Sequence, residues 1–109
     1  MQIVFFYYFC VYMFATEKYL NLLREFKRKY AAEYGITRLG VFGSVARGEQ
    51  KEGSDVDVCV EMKKPDLFLF IGLKDELQST LGCEVDVVRL RKNMNPFLLS
   101  RIEKESLYV

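Results

Sequence analysis

The sequence predicts an α/β domain in which short β-strands alternate with amphipathic helices. Three observations point there. Apolar residues recur at helical spacing in three separate segments, while short β-branched runs with a period of two lie between them. Gly and Pro stand at the junctions of these segments and not within a separate linker. With 109 residues, half of them apolar and 28% charged, the chain is the size of one small domain and has the composition of a folded one.

The elements follow in order. Residues 17–34 carry Leu20, Leu23, Lys27, Tyr30 and Tyr34 at helical spacing, with Thr16 as expected N-cap and Gly35 as the stop. The cationic residues of this helix outnumber its acidic ones, a pattern that usually marks a solvated face. Residues 36–42, ITRLGVF, read as a strand ending in Gly43-Ser44. A brief helical turn, VARGEQ, comes next and then the polar loop Lys51 to Ser54. DVDVCVEM, residues 55–62, is the second strand. Pro65 opens a helix over DLFLFIGLKDELQSTL, in which Leu67, Phe70, Ile71, Leu77 and Leu81 are expected to share a face and Gly82 to end it. CEVDVVRL is the third strand. Asn95-Pro96 leads into a last helix expected to run through PFLLSRIEKESLYV, with Leu99, Ile102 and Leu107 on one side.

The first fifteen residues stand apart as an apolar leader, and residues 16–109 form the domain. Ile3 to Ala15, IVFFYYFCVYMFA, is shorter than the roughly 20 residues of a membrane span. It also lacks the basic start and small-residue cleavage site of a secretory signal. It reads as an additional strand or, preferred here, as a start-site artefact with the natural chain beginning at Met13.

Composition excludes several chemistries. A formal charge of +1 gives no general basic field for a polynucleotide, so no direct nucleic-acid partner is expected. No membrane partner is expected either. With no His, the Ser-His-Asp and Cys-His mechanisms and the usual His-containing zinc sites are absent, which leaves carboxylates as metal ligands. Cys10, Cys59 and Cys83 form no CxxC pair, and a reducing cytoplasm fits them best.

The informative block is GSVARGEQKEGSDVDVCV, residues 43–60, taken with EVDVV at 84–88. On a strand, Asp55 and Asp57 fall on one face about 7 Å apart while Val56, Val58 and Val60 face the other way. Two like charges on one strand face are unfavourable unless something compensates them, and a divalent cation does so. Asp86 repeats the pattern on a strand that can pair with the first, adding a third carboxylate. Three hard oxygen ligands suit Mg²⁺ or Mn²⁺ beside phosphate oxygens, and two such ions about 4 Å apart can clamp an in-line phosphoryl displacement. Asp86 is also placed to take a nucleophile's proton. An Asp-x-Asp alone is equally an exposed strand edge, and Asp86 alone a surface residue, so the combination carries the argument. Gly43-Ser44 offers backbone approach to an anion, with Ser44 able to cap the next helix and point its hydroxyl at a phosphate. Arg47 is placed either to neutralise a triphosphate or to pair with Glu49 or Glu52, and Gly48 to end the short helix.

Gly43-Ser44, ten residues, then Asp55-Val56-Asp57 resembles the signature of the polymerase β-type nucleotidyltransferase superfamily, with Asp86 in the place of its third carboxylate. GSVARGE followed by GSDVDV is similar to the minimal nucleotidyltransferases of the MntA kind, small prokaryotic proteins encoded beside a HEPN-domain partner. The resemblance covers roughly residues 17–109 and leaves out the leader. It implies a polymerase β-like fold with a small mixed sheet flanked by helices, and Mg²⁺-dependent transfer of AMP from ATP with release of pyrophosphate. It further implies that Gly43 and Ser44 hold the triphosphate, that Asp55, Asp57 and Asp86 ligate metal, and that Asp86 assists deprotonation of the acceptor. The acceptor implied is a tyrosine hydroxyl on a HEPN ribonuclease toxin, which makes the protein an AMPylating antitoxin. Two other functions remain in view: a non-catalytic antitoxin that masks its partner, and nucleotidyl transfer to a small molecule such as an aminoglycoside, for which the short chain leaves little room.

Overall fold

A computed structural model describes residues 2–49 and 55–109, with side chains from residue 15 onward. The expected loop Lys51 to Ser54, and Glu52 within it, lie outside the described residues.

The β-branched alternation builds the centre. Strands β1 (Ile36–Phe42), β2 (Val56–Met62), β3 (Val85–Arg89) and β4 (Leu107–Tyr108) form one sheet in the order β3-β2-β1-β4. β1 runs antiparallel to both β2 and β4, while β2 and β3 are parallel, so the sheet is mixed as the resemblance implied. A register shift between Ile36 and Arg38 admits Thr37 as an extra residue, and its hydroxyl bonds the Glu61 carboxylate at 2.7 Å.

The two faces bury different layers. Leu39, Val41, Val56, Val58, Val60 and Val85 point into a core closed by helix α1 (Gln2–Tyr34) and helix α3 (Leu67–Leu81). On the other face Phe42 and Cys59 pack with Leu90, Met94 and Ile102 beneath helix α4 (Pro96–Glu105). The short helix α2 (Gly43–Arg47) follows β1 directly and contacts α4. Side chains cap two helices: Asp66 accepts from the Leu69 N–H, and Asn95 from the Phe97 and Leu98 N–H groups. Gly35, Gly48 and Gly82 end their helices in the left-handed region.

Several expectations are corrected. Where an additional strand was one expectation for the leader, its backbone from Gln2 is helical and runs into one helix ending at Tyr34. Thr16 is therefore mid-helix and not an N-cap, and its hydroxyl donates to the Val45 carbonyl at 2.6 Å, tying α1 to α2. Among the described residues no helix is long and apolar enough to cross a membrane. In α1 the buried stripe is Leu20, Leu23, Phe26 and Tyr34, so Phe26 takes the central place that had been read as Lys27. Lys27 instead reaches the Val109 carbonyl at 2.8 Å. In α3 the buried stripe is Leu73, Leu77 and Leu81, while Leu67 and Ile71 face outward because the sheet lies under the later turns. The last helix stops at Glu105, and Leu107 belongs to β4, paired with Val41. A long-range pairing thus overrides the helical spacing of Leu107.

Candidate functional site

The site forms where β1 ends and β2 and β3 begin, on the face that carries α4. Alternation along β2 buries Val56, Val58 and Val60 on one side and leaves Asp57 half-buried on the other. Parallel pairing then sets Asp57 directly opposite Asp86, as Val56 is set opposite Val85. Antiparallel pairing sets Phe42, the residue before Gly43, opposite the same Asp57. Asp55 lies one residue before β2, exposed, next to the Val56 N–H that donates to the Glu84 carbonyl at 3.1 Å. Register alone thus brings two of the three expected carboxylates, Asp57 and Asp86, opposite each other, with Asp55 one residue before the paired segment.

Gly43 is needed here on two counts. Its φ is +71°, a conformation most side chains resist, and a Cβ built on it would run into Asp57 Oδ2. The glycine that brings the β1–α2 turn to the site therefore also makes room for the carboxylate. Ser44 is the second residue of α2. No side chain caps this helix, whose N-cap is Phe42, so the capping role expected of Ser44 is not the one it plays. The Gly43 N–H instead donates to Glu105 Oε2 at 3.2 Å.

Arg47 turns back from the last turn of α2. Its guanidinium bonds Glu49 at 3.0 Å and Glu105 at 3.0 Å, the first as expected and the second with a partner the sequence does not suggest. Arg101 of α4 approaches the same Glu105 oxygen at 4.0 Å. Arg101 and Glu105 are the members of the site that sequence reasoning missed. They lie i and i+4 on α4, and only the packing of α4 against α2 turns that pair towards Gly43.

Electrostatics fit a cation-binding patch. Burial first, and then the charge of Asp86, pushes the Asp57 carboxyl above its ordinary value, and Asp55 adds to the effect. Arg101 and Arg47 pull it back. Among the described residues no three or more acidic, Cys or His side chains are gathered tightly enough to enclose an ion. Like charges spread apart on a strand face, and the all-oxygen donor set is of the kind a hard divalent cation draws together.

Along the later part of β3, a groove of about 580 Å³ opens between the starts of α3 and α4, lined by Leu67, Phe70, Val87, Met94 and Leu98 among others. None of the three aspartates lines it. β3 is an edge strand, and the helix starts that wall the groove follow the ends of β2 and β3, whereas Asp57 and Asp86 lie near the beginnings of those strands. At these helix starts Phe68 and Phe97 are 83% and 85% exposed, more than a folded surface usually leaves on side chains of that size.

Comparison with known proteins identifies the family. Residues 21–109 match the nucleotidyltransferase domain family. The protein adenylyltransferase MntA of Thermococcus cleftensis is 35% identical over 98 residues, covering 89% of this chain and 98% of the relative. A solved structure provisionally described as a minimal nucleotidyltransferase superposes with a TM-score of 0.70 at 35% identity, covering 85% of this chain and 94% of the other. The antitoxin fold in a complex of a tri-AMPylated Shewanella oneidensis HEPN toxin with its MNT antitoxin has a TM-score of 0.55 at 20% identity, covering 89% of this chain and 70% of the other. At that identity the likeness is one of fold. The carboxylate register, the left-handed glycine beside it and the match across most of the chain lead to one conclusion: the chain belongs to the nucleotidyltransferase domain family and is a nucleotidyltransferase.

Proposed function

We propose that this enzyme transfers AMP from ATP to a tyrosine hydroxyl of a HEPN-domain ribonuclease toxin and thereby acts as the toxin's antitoxin. The observation that carries the reading is the direct register of Asp57 with Asp86 beside Gly43. The relative named a protein adenylyltransferase and the fold shared with the antitoxin of an AMPylated HEPN toxin support it.

Asp55, Asp57 and Asp86 would hold Mg²⁺, which when bound supplies charge neutralisation at the phosphoryl oxygens. Gly43, Ser44 and Arg47 bind and orient the triphosphate. Asp86, exposed on the edge strand, takes the proton of the acceptor hydroxyl. The acceptor oxygen then forms a bond to the α-phosphorus, the bond from that phosphorus to the β-phosphate bridge breaks, and pyrophosphate leaves. The exposed Phe68 and Phe97, at the starts of α3 and α4, support a protein partner, since they offer an apolar surface for one to cover.

The test is transfer of label from α-labelled ATP with Mg²⁺ to a co-expressed HEPN partner, comparing wild type with Asp55→Ala and Asp57→Ala. Labelled partner that disappears in both variants is expected. Tight binding of the partner without label would instead assign a masking antitoxin.

A further inference from the structure

Three donors converge on one oxygen at the nucleotide end of this site. Glu105 Oε2 accepts the Gly43 N–H at 3.2 Å and an Arg47 N–H at 3.0 Å, and Arg101 stands 4.0 Å away. The Glu105 side chain is 23% exposed, so this oxygen is partly withdrawn from water. A backbone N–H on a left-handed glycine together with two guanidinium groups is a donor set suited to a phosphate oxygen. Here it is directed at a carboxylate of the protein itself.

We propose that Glu105 is an internal stand-in for a phosphate of the nucleotide, and that Arg101 joins Arg47 as a nucleotide-contacting residue when the triphosphate displaces it. The inference rests on the nucleotidyltransferase reading and deepens it. Two anions cannot share the Gly43 N–H, so a triphosphate seated on Gly43-Ser44 must move the Glu105 carboxylate aside. Arg47, which keeps Glu49, and Arg101 lose their shared partner Glu105 in the same step and can follow the charge. Arg101 is placed for this: it is on the face of α4 turned to Glu105, one turn away, and its charge is felt at Asp57. Glu105 thus sets the affinity of the site by competing for its donors. A purely structural role, bracing α4 against α2, predicts the reverse sign on removal.

The experiment is calorimetric binding of α,β-methylene-ATP with Mg²⁺ to the full chain, without acceptor, for wild type, Glu105→Gln, Glu105→Ala and Arg101→Ala. Circular dichroism checks that each variant is folded. Glu105→Gln is expected to bind about tenfold more tightly, the worth of one charge-assisted hydrogen bond no longer in competition. Arg101→Ala is expected to bind about tenfold more weakly, with Arg101→Lys recovering part of the loss. Competition by inorganic tripolyphosphate should follow the same order, which ties the effect to phosphate and not to the base. Binding by wild type that Glu105→Gln leaves equal or weaker overturns the stand-in role alone. Absence of nucleotide binding by both wild type and Glu105→Gln overturns this inference together with the ATP-using reading, so the two failures are read from different outcomes.

Discussion

Gly43→Ala isolates the contact between the glycine turn and the Asp57 carboxylate, and the molecule supplies its own control. Gly43 and Gly48 adopt nearly the same backbone conformation, with φ of +71° and +70°. A Cβ at Gly48 meets nothing within 4 Å, whereas one at Gly43 meets the Asp57 carboxylate. Gly48→Ala should therefore cost only the left-handed penalty, about 1–2 kcal/mol. Gly43→Ala should cost that amount plus about 1–3 kcal/mol for forcing the carboxylate aside. In an Asp57→Ala background the excess should vanish, because the remaining Asp57 Cβ lies at an ordinary 3.5 Å. Urea unfolding of the four single and double variants reads the coupling directly. Equal costs at Gly43 and Gly48, unchanged when Asp57 is shortened, would show that the turn is not packed on the carboxylate.

Other expectations concern charge, the sheet edge and the surface. Because the folded state raises the Asp57 pKa, the stabilising proton is present below the ordinary carboxylate range and is lost as pH rises through the folded value, so ionised Asp57 weakens the fold at neutral pH. Asp57→Asn is expected to raise the melting temperature at pH 7 in EDTA, with the gain shrinking as pH falls towards the acid range; a pH-independent difference would contradict this. Gly40→Ala should loosen β4, since its Cβ would sit 2.6 Å from the Leu107 carbonyl, and lower stability by about 1–3 kcal/mol in urea unfolding. Phe68→Ser with Phe97→Ser should change stability by less than about 0.5 kcal/mol each while weakening capture of the HEPN acceptor in a pull-down, as both side chains are outside the core.

The sequence made the carboxylate geometry legible because a strand's period of two is a local rule. Asp57 and Asp86 alternate with valines that have to be buried, and burial fixes which way the aspartates face. The helix starts near Pro65 and at Pro96 and the stops at Gly35 and Gly82 were legible for the same reason, each being decided within a few residues. β4 was not. SLYV continues the helical spacing of α4, and only pairing with Gly40 and Val41, far away in sequence, makes it a strand. A glycine in the middle of ITRLGVF was the available sign of that close approach. Thr16 was misread because a good cap residue is also a good mid-helix donor when another carbonyl, here that of Val45, lies within reach. Glu105 and Arg101 carried no local signal, since their meeting with Gly43 depends on how α4 docks.

The parallel pairing of β2 with β3 has a consequence for how this enzyme tolerates insertion and deletion. Burial of Val56, Val58 and Val85 decides which residue of β3 arrives opposite Asp57, and the crossover through the 15 residues of α3 and the turn after Gly82 has only to deliver the strand. A shift of β3 by one residue would present Val85 or Val87 to Asp57 and drive Asp86 into the valine layer, where a carboxylate has no partner, so a residue added or removed in that turn is absorbed by the turn as long as the valines stay buried. Misregistration by a single step is therefore binary for the chemistry, leaving no partly competent arrangement, and catalytic turnover becomes a sensitive gauge of sheet alignment.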